Sequence, residues 1–398
     1  LCVDADLNIR TQTYWSPLGF QSRRVDFEEA QEEFEPLLLR VMEEHMRSDV
    51  PFGLFLSGGV DSAVLLAMLT EKMVHPIHTY SVGFSGSQMT DELEPATWIA
   101  GRFKTVHTPI VLTKEQIFGR MVHTIWAADD LMRDYASLPT SLLSERAAQE
   151  LKVVFSGEGG DEVFAGYRRY RPNLETWLKS ILWPGTGGFR VRGGWKAIHA
   201  RKTFNPVLRK ASESVREPFL AAWRSCPAAW SKVQKFQYID FFTSLPDNLL
   251  VKLDRMGMGF GLEGRVPFLD HRIVEFGFSL PDSLKINGNH GKWFLKRWAA
   301  TRLPPEHLNK PKRGFHVPVG EWLKGQFLTQ LGGKLMANKA IGEWFNLEGV
   351  RYLIDTQSRR GNASREVWCL LEFAIWHKLF VESPVSRPQP DENPLDWI

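Results

Sequence analysis

An apolar run at residues 51–56 ends in Ser57-Gly58-Gly59-Val60-Asp61-Ser62, and a helical pattern over 61–73 begins at once. Two glycines after a buried strand let backbone N–H groups close on an anion, and the helix start adds unpaired donors and a favourable dipole. Ser57 and Ser62 supply hydroxyl donors. Asp61 is misplaced beside a phosphate unless Mg²⁺ lies between them, the usual reason for a carboxylate there. The plainer alternative is a tight strand–helix turn with a serine cap. Two Ser, two Gly and an Asp in one turn favour the anion site. No Gly-Lys-Ser/Thr follows, so this is not a Walker loop.

Alternating elements position that loop. The pattern predicts strands at 51–56, 77–84, 106–112 and 153–156, separated by helices at 61–73, 94–103, 115–126 and 142–150. Such βαβ succession implies an α/β fold, a parallel sheet with helices on both faces. Ligands bind beyond the carboxyl ends of such strands, so the loops after Leu56, Phe84 and Phe155 matter most. Upstream, Asp26 and Glu29 have capping-box spacing ahead of Phe27, Phe34, Leu38 and Val41, with Pro36 expected to bend or break that helix. After Gly166 the strand signal fades, and 236–260, 273–280, 292–302 and 364–380 read as helices. The tail from Ser383 reads as a loose end.

Five further motifs lie along the chain. Val153-Val154-Phe155-Ser156-Gly157-Glu158-Gly159-Gly160-Asp161-Glu162 runs on to Gly166-Tyr167. Leu245-Pro246-Asp247-Asn248-Leu249-Leu250 continues to Asp254-Arg255-Met256. Arg265-Val266-Pro267-Phe268-Leu269-Asp270, Gly291-Lys292-Trp293-Phe294-Leu295-Lys296 and Lys310-Pro311-Lys312-Arg313-Gly314-Phe315 complete the set. The first loop resembles the pyrophosphate loop of the N-type ATP pyrophosphatases. The five motifs, in order over about residues 25–380, resemble the synthetase part of the glutamine-hydrolysing asparagine synthetases.

Read without the resemblance, Glu158 closes a buried strand in a Gly-rich turn. It either takes a proton from ammonia attacking an acyl group or is a turn carboxylate satisfied by nearby N–H groups, and the residues alone leave both open. The resemblance implies the first role. It also implies a second Mg²⁺–pyrophosphate carboxylate at Asp161, support of the turn by Glu162, and charge neutralisation at the α-phosphate by Lys292, with Lys296 one turn on as the competitor. ATP would lie on Leu56, Ser57, Gly58, Gly59, Asp61, Ser62, Val82, Ser156 and Gly157, with Mg²⁺ on Asp61 and Asp161. The implied reaction converts aspartate, ATP and ammonia to asparagine, AMP and pyrophosphate through an acyl-adenylate.

The chain departs from the family pattern in places. Met256-Gly257-Met258-Gly259 stands where Met-Ser-Met-Ala is common, and Glu263-Gly264-Arg265 where Glu-Val-Arg is common; extra glycines there would loosen the acceptor pocket. Met132 and Tyr135 stand near the positions of an aspartate-holding Thr and Arg, so a related carboxylate is a rival acceptor, as in β-lactam synthetase-like or other amidotransferase enzymes. Asp254, Arg255 and Arg265 are expected to form an internal ion-pair network.

The organisation expected is a glutaminase remnant and linker at 1–24, the synthetase domain at 25–382 and a loose tail at 383–398. Within the domain a core spans about 50–167 and a helical part about 168–382. Cys2 follows Leu1 rather than bearing a free amine, so the chain itself should accept ammonia but not hydrolyse glutamine, a glutaminase domain in a longer parent being the implied partner. A homodimer is compatible with this organisation.

Composition narrows the remaining classes. The 398 residues are 43% hydrophobic and 24% charged, as in a globular protein rather than a disordered one. Forty-nine basic against 46 acidic residues give +3, too balanced to imply nucleic acid or a membrane surface. No apolar run is long enough for a membrane span, and residues 1–6, without basic residues or an apolar core, are not expected to act as a secretory signal. Three dispersed cysteines give neither a disulfide framework nor a zinc site, and a reducing cytoplasm is the expected compartment. The stretch 168–210 holds a single acid, Glu175, among many bases with Trp177, Trp183 and Trp195 interleaved. A mobile surface loop is the expectation for it, with an RNA-binding tRNA-modifying enzyme as the rival.

Overall fold

The computed structural model describes residues 1–85, 92–132, 134–171, 173–191, 194–308, 317–382 and 387–398. The motif at 310–315 and most of the loop after Phe84 lie outside the described residues.

Five parallel strands form the central sheet: β1 (Phe52–Phe55), β2 (His78–Phe84), β3 (Val106–Leu112), β4 (Val153–Phe155) and β5 (Glu263–Arg265). Their spatial order is β3-β2-β1-β4-β5. The chain thus steps outward from β1 to β3, then returns across the sheet to start β4 on the other side of β1. Register runs Phe55↔Tyr80 between β1 and β2, Leu54↔Phe155 between β1 and β4, and Phe155↔Arg265 between β4 and β5. The four strands expected from the sequence are present. β5 is an addition to them, and it carries the sheet beyond the expected 50–167 core.

Both faces of the sheet are covered, which explains strands that are apolar rather than alternating. On one face Leu54, Leu56 and Phe155 pack with α1 (Phe27–His45), α2 (Val60–Lys72) and helices between residues 217 and 308. On the other, Tyr80, Val82, Leu112 and Val154 pack with Met121–Ala128, Ser137–Ala148 and helices from 319 to 377. The helical second half is therefore the outer layer of both faces.

Helix α1 begins at the expected capping box: Glu29 N–H donates to Asp26 Oδ1 at 2.9 Å, and Asp26 N–H to Glu29 Oε2 at 3.2 Å. Of the bend or break expected at Pro36, the break does not occur: the helix is continuous through that residue. Pro36 is on the exposed side, where the carbonyl it leaves unpaired can turn to water.

Two other expectations are corrected. The basic stretch 168–210 is not a loose loop: it carries the helices Leu174–Leu182, Ala197–Thr203 and Pro206–Glu213. Arg169 and Arg190 both pair with the buried Asp240, at 2.7 and 2.8 Å. The tail is not loose over 387–398. Arg387 donates to Gly259 O (2.8 Å) and His123 Nε2 (3.2 Å), Glu392 N–H donates to Gly119 O (3.0 Å), and Leu395 is buried. At the other end, Cys2–Val3 pairs with Ile9–Arg10 as an exposed hairpin. Trp15 then ties the following segment to Glu275 at 2.9 Å.

Candidate active site

The crossover places the ends of β1 and β4 side by side, the switch point at which open parallel sheets bind ligands. The loop after β1 leads into α2 with Gly59 as its N-cap and no side chain capping that end. Ser57 and Ser62 brace the loop from within. Their hydroxyls lie 3.0 Å apart, Ser57 N–H donates to Ser62 Oγ at 3.1 Å, and Gly59 N–H donates to Ser57 Oγ at 3.1 Å. The serine hydroxyls thus shape the turn.

The loop after β4 is pressed against this one. A Cβ at Gly157 would lie 2.9 Å from Ser62 N and 3.0 Å from Asp61 Cβ, and one at Gly160 only 2.5 Å from Asp61 Oδ1. These glycines are required by close approach of the two loops. The same contact brings Asp61 and Asp161 to a single cation. Lys292 Nζ hydrogen-bonds to Asp61 and lies 2.8 Å from Asp161 Oδ1.

Lys292 is held by strained backbone. It caps the helix Trp293–Ala299 at φ 54°, a left-handed conformation uncommon for a non-glycine residue. Its N–H donates to Phe164 O at 3.1 Å, fixing it to the second loop. The residue is only 4% exposed. Burial alone would lower its pKa, but Asp161 and Asp61 outweigh it and hold the ammonium above the usual lysine range. Lys296 is instead lowered, by burial and then by repulsion from Lys292. Between the two lysines, Lys292 is the one that reaches the carboxylates.

Two carboxylates from neighbouring loops, converging on one cation, are a donor set that suits Mg²⁺ shared with phosphate oxygens. Asp61 and Asp161 thus fit the metal that the sequence implies.

Glu158 lies on the same loop with its side chain a quarter exposed, and its Oε1 is 3.6 Å from Lys252 Nζ. Lys252 Nζ also donates to Asp134 Oδ2 at 3.2 Å. Neither Lys252 nor Asp134 stands out in the sequence. The signal available is a lysine beside Leu253 and Met256 on the buried side of a short helix, a place where lysine must be paired. Glu162 is buried, and burial followed by Asp161 pushes its carboxyl up to about 8. Its carbonyl accepts from Gln237 Nε2 at 2.6 Å, in keeping with a role in supporting the turn.

The remaining candidates fall less neatly. Ser156 N–H is spent on Arg265 O at 2.8 Å. Leu56, Val82 and Ser156 end or flank three adjacent strands, but the register turns Leu56 to one face and Val82 to the other. They do not form one wall. Among the described residues the expected ion-pair network is absent: Asp254 and Arg255 are exposed, while Arg265 bonds Glu263 at 2.7 Å and the carbonyls of His45 and Arg47. Of the extra glycines, Gly257 and Gly264 are closely packed, since a Cβ would meet Leu262 O at 2.5 Å from the first and Leu253 Cγ at 2.9 Å from the second. Tyr135 packs edge-on to Trp368 at 5.5 Å, and burial raises its hydroxyl pKa. Cys226 is a half-buried thiol pushed up to about 12 by burial, as a packing residue should be. Among the described residues no helix is long and apolar enough to cross a membrane.

The sequence profile of the asparagine synthase family matches residues 33–378. "Asparagine synthetase [glutamine-hydrolyzing] 1" of Bacillus subtilis is 29% identical, aligned over 100% of this chain and 66% of its own length. "Asparagine synthetase [glutamine-hydrolyzing] 3" of the same organism is 28% identical over 70% of this chain and 48% of its own. "Asparagine synthetase B [glutamine-hydrolyzing]" of Escherichia coli K12 is 25% identical over 70% and 43%. The alignments therefore span between 43% and 66% of the length of these relatives.

Proposed function

The chain belongs to the asparagine synthase family, and from that premise we propose that it is the amide-forming part of an ATP-dependent asparagine synthetase, a ligase that makes a C–N bond. The observation that carries the proposal is the convergence of Asp61, Asp161 and Lys292 at the switch point, with Glu158 on the same loop.

A carboxylate is a poor electrophile because its leaving group would be oxide. In the first step an oxygen of the aspartate side-chain carboxylate attacks the α-phosphorus of ATP. A P–O bond forms, the bond to the β-phosphate bridge breaks, and pyrophosphate leaves. The residues 57–62 would cradle the pyrophosphate at the α2 N-terminus. Bound Mg²⁺ on Asp61 and Asp161 would supply positive charge to the phosphates. Lys292 contributes its ammonium where two anions must meet, an effect of about 3 kcal/mol for one well-placed group. The base of ATP would lie beyond the strand ends, against the backbone edges at Leu56, Val82, Ser156 and Gly157 rather than on a single side-chain wall.

In the second step the ammonia lone pair forms the C–N bond, the bond to AMP breaks, and Glu158 takes the released proton. The ammonia would come from a glutaminase domain of a longer parent, in keeping with the relatives' names. Under this proposal residues 25–382 are the synthetase unit. Met132 and Tyr135 support a second acceptor, a carboxylate related to aspartate.

The test is release of AMP and pyrophosphate with ATP, ammonia and a panel of carboxylic acids, aspartate among them. Glu158→Gln should cut amide yield far more than ATP binding, because it removes the base while preserving shape. Unaltered amide yield in that variant would reject the role of Glu158.

A further inference from the structure

Besides Lys292, another buried lysine reaches the loop after β4. The chain passes through the π-helical turn Leu245–Leu250 into the helix Val251–Met258, whose inner side carries Lys252, Leu253, Met256 and Gly257. Lys252 is 8% exposed. A lysine so placed needs counter-charge, and two carboxylates from different segments provide it: Asp134 Oδ2 at 3.2 Å and Glu158 Oε1 at 3.6 Å.

The two carboxylates are not equivalent. Asp134 is locked in place. Its Oδ1 accepts from Ala136 N–H at 3.1 Å, its carbonyl from Ser137 N–H at 2.9 Å, and its Oδ2 also from Asn248 Nδ2 at 3.3 Å. Asp134 is thus the fixed end of the bridge. Glu158 stands in a Gly-rich turn with a partly exposed side chain, and its neighbours on that turn, Asp161 and Glu162, bring it no cation. Among the described residues Lys252 supplies its ion pair.

We infer that Lys252 is the positioning residue for Glu158: anchored on Asp134, its ammonium holds the Glu158 carboxylate in place to receive the proton released when ammonia attacks. This rests on the proton-accepting role of Glu158 proposed above. At 3.6 Å the contact orients by charge and is too long for a hydrogen bond, so the carboxylate lone pairs stay open to the incoming proton. Lys252 exchanges no proton itself. Burial would lower its pKa, but Glu158 and Asp134 outweigh this and raise it, so it remains a cation throughout.

The test is how the acyl-adenylate partitions, measured as amide formed per AMP released at limiting ammonia. Misplacing a catalytic group by about 1 Å costs up to roughly 10²-fold. Lys252→Met should therefore lower amide per AMP on the order of 10- to 100-fold while pyrophosphate release continues, and Lys252→Arg should recover most of the loss. The double variant Glu158→Gln/Lys252→Met should be no worse in this ratio than Glu158→Gln alone. Should Lys252→Met fail to fold, Asp134→Asn, which keeps the lysine and loosens its anchor, should lower the ratio in the same direction. Wild-type partitioning in the folded variant, or a Lys252→Met loss that adds in full to that of Glu158→Gln, overturns the inference while leaving Glu158 as the base. If Glu158→Gln alone leaves amide per AMP unchanged, the base assignment falls and this inference with it.

Discussion

Lys292→Ala removes the cation that Asp61 and Asp161 share, and the structure sets the size of two separate effects. The lysine is 4% exposed and its ammonium is 2.8 Å from Asp161 Oδ1. Deleting one partner of a buried pair costs about 3–5 kcal/mol, because the other charge is left uncompensated. Here the carboxylate side chains keep 14–15% exposure to water, so the lower end, about 3 kcal/mol, applies. Against a typical total of about 5–15 kcal/mol the variant should still fold. In the wild-type chain Mg²⁺ must compete with the ammonium for both carboxylates, whereas in Lys292→Ala it need not. Mg²⁺ at about 100 times its dissociation constant returns about 2.7 kcal/mol by linkage. Urea unfolding with and without Mg²⁺ reads this: the variant should unfold at lower urea, and Mg²⁺ should raise its midpoint more than that of the wild type. Pyrophosphate release should nonetheless stay about 10²- to 10³-fold low with Mg²⁺ present, since the charge at the α-phosphate is not replaced. Equal stability of the two chains with no differential response to Mg²⁺ would refute the shared-cation argument. Undiminished pyrophosphate release would refute the catalytic one.

Gly160→Ala puts a methyl group 2.5 Å from Asp61 Oδ1. It should force the two loops apart and slow pyrophosphate release on the order of 10²-fold, with the thermal midpoint falling by only a few degrees; normal turnover would show that the loops need not touch. Lys285 is fully buried, with its pKa lowered to about 8 by burial. Between pH 8 and 10.5 the unfolded chain still binds the proton that the native chain has lost, so stability should rise with pH across that window by up to about 3 kcal/mol. Urea midpoints of the wild type and Lys285→Met at about pH 7.5, 9 and 10.5 should diverge, the variant lacking the rise, and parallel curves would place the titration elsewhere.

The sheet is legible in the sequence because its inner strands are apolar on both faces, and a short apolar run between helical patterns can satisfy its backbone and bury both its faces only inside a covered sheet. β5 is not legible, for a physical reason. Glu263-Gly264-Arg265 is a three-residue edge strand with no apolar side chain, recruited by pairing with β4 rather than by burial. The basic stretch misleads on similar grounds. Composition counts charges where they stand, but Arg169 and Arg190 are tied down by sharing Asp240, which is remote in sequence and wholly buried. The prolines and polar residues at the end of the chain suggest a loose tail, yet its hold on the body comes through backbone groups such as Glu392 N–H and Gly119 O, which composition does not record.

For the site, residue types are legible and their pairing is not. Asp61 stands out as chemistry in its turn, while Glu158, Asp161 and Lys292 are singled out only through the resemblance, and nothing local says that Lys292 joins Asp61 across 231 positions. Lys252 and Asp134 escape notice because each has an ordinary local setting, one in a helix and one in an Asx turn. Together they repeat the pattern of the first cluster. In each case one lysine bridges two carboxylates from different segments, leaving a formal charge of −1: Asp61, Asp161 and Lys292 on one side, Asp134, Glu158 and Lys252 on the other. In a site that must bring two anions together, a remaining negative charge has to be useful to be tolerated. Under the proposed mechanism, the first cluster's charge is where a divalent cation would add its own, and the second's is where the proton from ammonia would go.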